Sequence, residues 1–246
     1  MNELLGKKAL VTGGSRGIGA ATAVALAERG ADVAITYNSS ADAAASVVKE
    51  IEALGRRGFA YAVDSGDAVA VGDGVRRAAE TLGGLDILIN NAGVGAIAPI
   101  TDLSLEDVDR VIAVNVRGAY VAAQAAVPHL SDGARMIHLG SCVTGRVPGP
   151  GMTLYAMSKS AMTGLSKSLA RELGPRGITS NVVHPGPIDT DMNPSDGPFA
   201  AAQLTNLSLP RFGTPTEVAA AITYLAGPNA SYITGTALTI DGGHTA

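Results

Sequence analysis

Near its start the chain runs Lys8-Ala9-Leu10-Val11, a short apolar strand, and then Thr12-Gly13-Gly14-Ser15-Arg16-Gly17-Ile18-Gly19. A helical pattern follows at once, with Ile18, Ala21, Val24, Ala25 and Ala27 before Gly30. A strand that turns through glycines straight into a helix is the context in which a glycine run binds a dinucleotide. The glycines permit the tight turn and close backbone approach, and the helix N-terminus offers free N–H groups and positive potential to a pyrophosphate. Gly13, Ser15, Arg16, Gly17, Ile18 and Gly19 are therefore expected cofactor contacts.

The rest of the chain repeats the alternation. Strands are expected at 7–12, 32–37, 58–63, 85–90, 134–140, 178–184 and 236–240. Helices are expected at 17–29, 40–54, 67–82, 104–128 (broken near Asn115), 154–173 and 214–226. Strands alternating with helices predict an α/β fold, a doubly wound parallel seven-stranded sheet in the Rossmann order extended by one strand. With 246 residues, 46% of them hydrophobic and 16% charged, a single domain over 1–246 with a buried sheet is expected. The longest stretch without periodicity is 185–210, rich in proline, which reads as a functional loop.

A second pattern carries chemistry. Tyr155 and Lys159 stand four apart in a segment where Met162, Leu165, Leu169 and Leu173 recur at helical spacing, so both fall on one helix face. A free phenol titrates near ~10 and is a reluctant acid at neutral pH; a cation held close would lower that value. Ser141 follows the apolar run from Ala134 to Leu139 and so stands at a strand's C-terminal end, where ligands bind in open α/β sheets. Its hydroxyl could hold a substrate carbonyl for protonation. Asn115 interrupts an apolar helical stretch, a costly place for an amide unless it is satisfied.

Thr-Gly-x-x-x-Gly-x-Gly at 12–19, Asn90-Asn91-Ala92-Gly93, Asn115, Ser141, Tyr-x-x-x-Lys at 155–159 and Pro185-Gly186 together resemble the motif series of the classical short-chain dehydrogenases/reductases. The likeness runs to Asp241-Gly242-Gly243 and is strongest to the 3-oxoacyl-carrier-protein-reductase group of carbonyl reductases. The resemblance implies that Asn115, Ser141, Tyr155 and Lys159 are catalytic, with Lys159 and Tyr155 also touching the cofactor, and that Asn115 kinks its helix. It implies further cofactor contacts at Asp64 and Ser65 (adenine), at Asn91, Ala92 and Gly93, and at Pro185, Gly186, Ile188 and Thr190 (carboxamide). The 185–210 segment would then bind substrate.

Cofactor choice turns on the end of the second strand, where an NAD site carries an acid for the ribose hydroxyls. Tyr37, Asn38, Ser39 and Ser40 supply none, and Arg16 could pair with a 2′-phosphate. NADPH is expected, with NAD as the alternative. The expected reaction is hydride transfer to a ketone, Tyr155 giving the proton. Two other readings stand beside it. One is an NAD-dependent alcohol dehydrogenase. The other is a regulatory protein on the same fold, because Pro187 to Asp191 with Asn193-Pro194 resembles a branch proposed to bind a cyclic dinucleotide in biofilm dispersal.

Net charge is −4 without a basic block, which argues against nucleic acid. Cys142 is the only cysteine, so no internal disulfide can form, and the four histidines show no ligand spacing; no catalytic metal is expected. Met1 to Gly6 has no charged n-region leading into an apolar run, and no apolar segment reaches about 18 residues, so a cytoplasmic protein with no membrane partner is expected. Ala119, Ala122, Ala123, Ala126, Ala161, Met162 and Leu165 suggest helices apolar on more than one face. The strand Thr236 to Ile240 would be an open edge. The resemblance implies that these surfaces close a homotetramer.

Overall fold

The computed structural model describes residues 2–246; Met1, counted in the expected domain, lies outside them. Among the described residues seven strands form one parallel sheet: β1 (Lys8–Val11), β2 (Asp32–Tyr37), β3 (Gly58–Ala62), β4 (Leu85–Asn90), β5 (Leu130–Leu139), β6 (Thr179–Pro185) and β7 (Ala237–Ile240). Their order is β3-β2-β1-β4-β5-β6-β7, so the chain reverses direction across the sheet between β1 and β4. This is the doubly wound α/β architecture expected from the alternation, and that reversal is where such sheets open a ligand crevice.

The helices are α1 (Gly17–Glu28), α2 (Ala41–Ala53), α3 (Ala68–Leu82), α4 (Leu105–Ile112), α5 (Ala119–Ala126), α6 (Thr153–Leu173), α7 (Ala200–Leu204) and α8 (Pro215–Ala226). Local chemistry sets several of their ends. Asp67 caps α3 by accepting from the amides of Val69 and Ala70, and Gly83 closes the same helix at φ +78°. Ser104 with Asp107, and Thr214 with Glu217, form capping boxes that start α4 and α8.

Strands buried on both faces alternate their side chains between two cores. Val11, Val33, Ile35, Ile87 and Ile89 face the layer containing α1, α2 and α8. Leu10, Ala34, Leu85, Leu88 and Met136 face the layer of α3 and α5. Leu10 and Leu88 are fully buried, so truncating either to alanine would cost about 2–5 kcal/mol. A polar chain also crosses this side of the sheet. Asn90 Nδ2 lies 3.1 Å from His138 Nδ1, His138 Nε2 3.2 Å from Ser180 Oγ, and Ser180 donates to Ser166 at 3.1 Å. The amide donor fixes His138 as a neutral Nε2–H tautomer, and complete burial pushes its pKa down to about 4.

Most boundaries fall within one residue of expectation. Three features differ. β5 begins at Leu130 because an irregularity opposite Leu85 and Ile87 adds residues to its start, with Gly133 at φ +76°. The helix expected over 104–128 resolves into α4, a π-helical turn Ala113–Gly118 and α5, with a final 3-10 turn. The 185–210 stretch is not structureless: β6 claims Pro185, α7 occupies Ala200–Leu204, and Ile188 bridges to Gly213.

The excess apolar surface is also smaller than the helix pattern suggests. Ala119, Ala122, Ala123, Ala126 and Met162 are buried within this chain's own core; Ala161 and Leu165 remain partly exposed. The reason is that α5 packs against α3 as well as against the sheet, while α6 packs on β6 and the turn between α4 and α5. Among the described residues, no helix is long and apolar enough to cross a membrane.

Candidate active site

The glycine run leaves β1 and turns over the sheet. Gly13 and Gly17 adopt φ +63° and +54°, a region that favours glycine. A Cβ on Gly14 would lie 2.6 Å from the Ile35 side chain, and one on Gly19 would overlap the Gly13 carbonyl oxygen. The turn is braced from β4: Asn91 Nδ2 donates to the carbonyls of Thr12 and Gly13, both at 2.9 Å. Thr12 Oγ1 in turn accepts the amides of Asn91 and Ala92 at 3.0 and 3.1 Å. Asn91 thus spends its side-chain amide holding the loop.

Arg16 occupies the N-cap of α1 without capping it, and its side chain is exposed. The first-turn N–H groups of α1 lie beyond the reach of any helix carbonyl, and are free for an anion. Ser15 and Ile18 flank this cradle. Tyr37 is half-buried at the end of β2, with Asn38 and Ser39 exposed beyond it. Asp64 is exposed after β3 and accepts from the Gly66 amide at 2.8 Å, so the Asp64-Ser65 turn is locally fixed. Gly186 follows β6, packed so closely on Asp241 that a Cβ would lie 2.5 Å from its Cα. Ile188 turns its side chain into the core, which leaves only its main chain to face a ligand; Thr190 leans on Gly17. These positions line up along the carboxyl ends of the strands. The glycine cradle, the free helix N-terminus and the exposed cation fit a dinucleotide with an added phosphate.

The candidate reactive groups cluster beyond β5. Ser141 stands just past the strand, while Tyr155 and Lys159 come from the first two turns of α6. Lys159 is buried, its Nζ donating to Leu139 O at 3.0 Å and lying 6.0 Å from the Tyr155 ring centre. Asn115, in the π turn, satisfies every polar atom it has: Oδ1 accepts from Val94 N at 2.8 Å, and Nδ2 donates to Val94 O and Ser158 Oγ, both at 2.9 Å. Ser158 passes the chain on to Tyr155 O at 2.8 Å. Gly93 closes the group, since a Cβ there would sit 3.0 Å from Lys159 Nζ and 3.4 Å from Asn115 Oδ1. Asn115, Ser141, Tyr155 and Lys159 are thus brought together.

The electrostatics correct one expectation. Burial pushes the Tyr155 phenol up, with only Ser141 hydrogen bonding to pull it down, and no lowering by Lys159 emerges. Burial likewise lowers the Lys159 ammonium to about 8. Burial, nearly complete for Lys159 and partial for Tyr155, disfavours each one's charged form, and the ammonium is committed to the Leu139 carbonyl. Cys142 is a buried thiol pushed up to about 11 by the same cause, with Asp241 adding to it. Among the described residues no three His, Cys, Asp or Glu side chains converge as metal ligands.

One residue beside the site escapes a reading of motifs. His184, the last side chain before Pro185, is buried and accepts the Ser141 amide on Nδ1 at 3.0 Å. Burial first, then the Lys159 charge, hold its pKa below the usual imidazole value. The sequence places this histidine directly before Pro185-Gly186 but gives no sign of its partner.

A family model described as enoyl-(acyl carrier protein) reductase matches residues 13–245. A solved short-chain dehydrogenase from Burkholderia cenocepacia J2315 in complex with NADP is 56% identical, with a TM-score of 0.98 and all of both chains covered. The cyclic-di-GMP-binding biofilm dispersal mediator protein of Escherichia coli (strain K12) is 44% identical over 98% of each chain. A 3-oxoacyl-[acyl-carrier-protein] reductase of Staphylococcus aureus (strain Mu50 / ATCC 700699) is 39% identical, over 96% of this chain and 97% of the relative.

Proposed function

This chain belongs to the short-chain dehydrogenase/reductase family, and from that premise we propose that it is an NADPH-dependent reductase of a ketone. The observation that carries this reading is the convergence of Ser141, Tyr155 and Lys159 at one strand end, behind a glycine cradle with an exposed cation, Arg16. The solved Burkholderia relative holds NADP.

Bound in the crevice, NADPH would supply the hydride. The chain's own groups would do the rest. Ser141 and Tyr155 hydrogen-bond the carbonyl oxygen, and Tyr155 gives its proton from the phenol, which is the protonated form at neutral pH. Lys159 and Asn115 hold the far side of the site, and Arg16 binds the 2′-phosphate. Met192, Phe199 and Leu209, all more than half exposed along 185–210, favour a substrate with an apolar body. Loss of reduced-nicotinamide absorbance with β-ketoesters, acyl thioesters, diketones and quinones tests the reading; no consumption with any of them would overturn it.

The name of the E. coli relative favours a second role, binding of a cyclic dinucleotide. Its phosphates would use the same cradle, so calorimetry with cyclic di-GMP in the presence and absence of NADPH decides between shared and separate sites. An NAD-dependent alcohol dehydrogenase is the weaker reading, because the end of β2 offers no carboxylate. We also propose a cytoplasmic homotetramer. Its support is the half-exposed edge strand β7, together with Ala161 and Leu165 on α6. A single-chain mass of 24.7 kDa by light scattering would exclude it.

A further inference from the structure

The main-chain ladder between β5 and β6 ends where Gly140 N donates to Val183 O at 2.9 Å. The next amide in line, Ser141 N–H, is buried and continues the ladder onto a side chain, His184 Nδ1, at 3.0 Å. On the other edge of the ring, Nε2 lies 3.4 Å from Thr144 Oγ1, and that hydroxyl donates to the Ser141 carbonyl at 2.9 Å. One proton arrangement satisfies all three contacts: Nδ1 bare, Nε2 protonated, and Thr144 accepting from the ring while donating to Ser141 O. The imidazole therefore grips both polar groups of the Ser141 main chain.

Two neighbours show how close the grip is. A Cβ on Gly140 would overlap His184 Nδ1, so glycine there makes room for the ring. From the opposite side Lys159 Nζ holds Leu139 O, which leaves residues 139–141 pinned at both ends. His184 also directly precedes Pro185-Gly186, so the serine loop is fixed against the strand end assigned to the cofactor.

We propose that His184, as a neutral imidazole accepting the Ser141 amide, is a positioning residue that sets where the Ser141 hydroxyl meets the substrate carbonyl. The proposal rests on the reading of Ser141 as a substrate-binding hydroxyl in a ketone reductase. His184 itself touches no reacting atom.

The test compares His184→Leu with His184→Asn. Leucine fills the space and leaves the Ser141 amide without a partner, whereas asparagine returns an acceptor oxygen. For a ketone that wild type reduces, His184→Leu should lower kcat about ten- to hundredfold at unchanged NADPH affinity. His184→Asn should recover kcat to within about threefold of wild type, as expected when a hydrogen bond is replaced rather than removed. Leucine at wild-type kcat would overturn the proposal, as would asparagine no better than leucine. Histidine nitrogen NMR on the wild-type protein stands apart from folding of the variants and from turnover. It should show the Nε2–H tautomer at neutral pH, and an Nδ1–H ring would overturn the proposal. Were wild type inactive on every ketone while the tautomer held, the reductase reading would fail and the clamp on Ser141 would stand.

Discussion

The corner that holds Ser141, Tyr155 and Lys159 and the segment from Pro187 to Gly213 are held in contrasting ways. In the corner buried side chains tie separate elements together: Asn115 alone joins the π turn to Val94 and to α6, and Lys159 joins α6 to the end of β5. The 187–213 segment is tied mostly by exposed contacts: two isolated bridges, Asp189 to Ser195 N at 2.9 Å, the Asn193–Gln203 amide pair at 2.8 and 3.0 Å, Leu209 N to Gly242 O at 2.9 Å and the exposed Arg211–Glu217 pair. Its apolar side chains Met192, Phe199 and Leu209 face outward. It reaches the glycine loop through Thr190, which leans on Gly17, and through the Arg16–Asp191 pair, 3.9 Å long between two exposed side chains, a contact of little net stability. Chemistry needs groups fixed before substrate arrives, whereas a surface that admits and releases substrate is drawn from the weakly held parts of a fold.

The contrast is open to measurement, and the largest effect is expected in the corner. Tyr155→Phe deletes the proton donor and little else, so kcat should fall about 10²–10⁴-fold with NADPH affinity retained. Activity above about a tenth of wild type would remove the phenol from the mechanism. Next comes the buried polar chain. The folded pKa of His138 is about 4, below its unfolded value of 6.5, so the unfolded chain takes up a proton first as pH falls. Stability from this group is complete above pH 6.5 and is lost as pH drops toward 4, by about 2–4 kcal/mol. Urea melts at neutral and acid pH should show a shallower acid loss for His138→Gln; an identical loss would mean that His138 is not held neutral.

Arg16 meets the 187–213 segment from the glycine loop, through Asp191. Arg16→Ala should weaken NADPH about ten- to hundredfold and NADH much less, since a charge-assisted contact to phosphate is lost. Equal weakening of both cofactors would return Arg16 to an exposed loop cation. The smallest effect belongs to the 187–213 segment. Gln203→Ala should raise KM a few-fold while shifting unfolding free energy by less than about 1 kcal/mol, the size of a partly exposed hydrogen bond. A loss as large as that of a core truncation would erase the difference between the two regions.

What the sequence discloses follows the range of the interactions involved. Gly13, Gly17 and Gly19 are legible because a tight turn is a local demand, and Tyr155 and Lys159 because four residues make one helical turn. The His184 clamp joins residues 43 apart, so nothing in the local pattern announces it. The rise of the phenol pKa is likewise a consequence of burial, which is set by the whole fold. The alanine run Ala200–Ala202 with Gln203 and Leu204 is good helix-forming sequence, hidden by the prolines before and after it. The irregular start of β5 depends on its pairing with β4, which periodicity within one strand does not reveal.

The π turn Ala113–Gly118 fits one more residue into the helix than α winding would. Each residue of an α-helix advances the side-chain direction by about 100°. The surplus residue therefore acts as an angular spacer, letting Asn115 point at Val94 and Ser158 while Ala119, Ala122, Ala123 and Ala126 still point into the core. Loss of a single codon within this turn would let it rewind as ordinary α-helix, but one of those two sets would then be swung out of direction by more than a quarter circle. Here the residue count itself is under structural constraint, and a one-residue deletion should do more harm than a conservative replacement at Val114 or Val116.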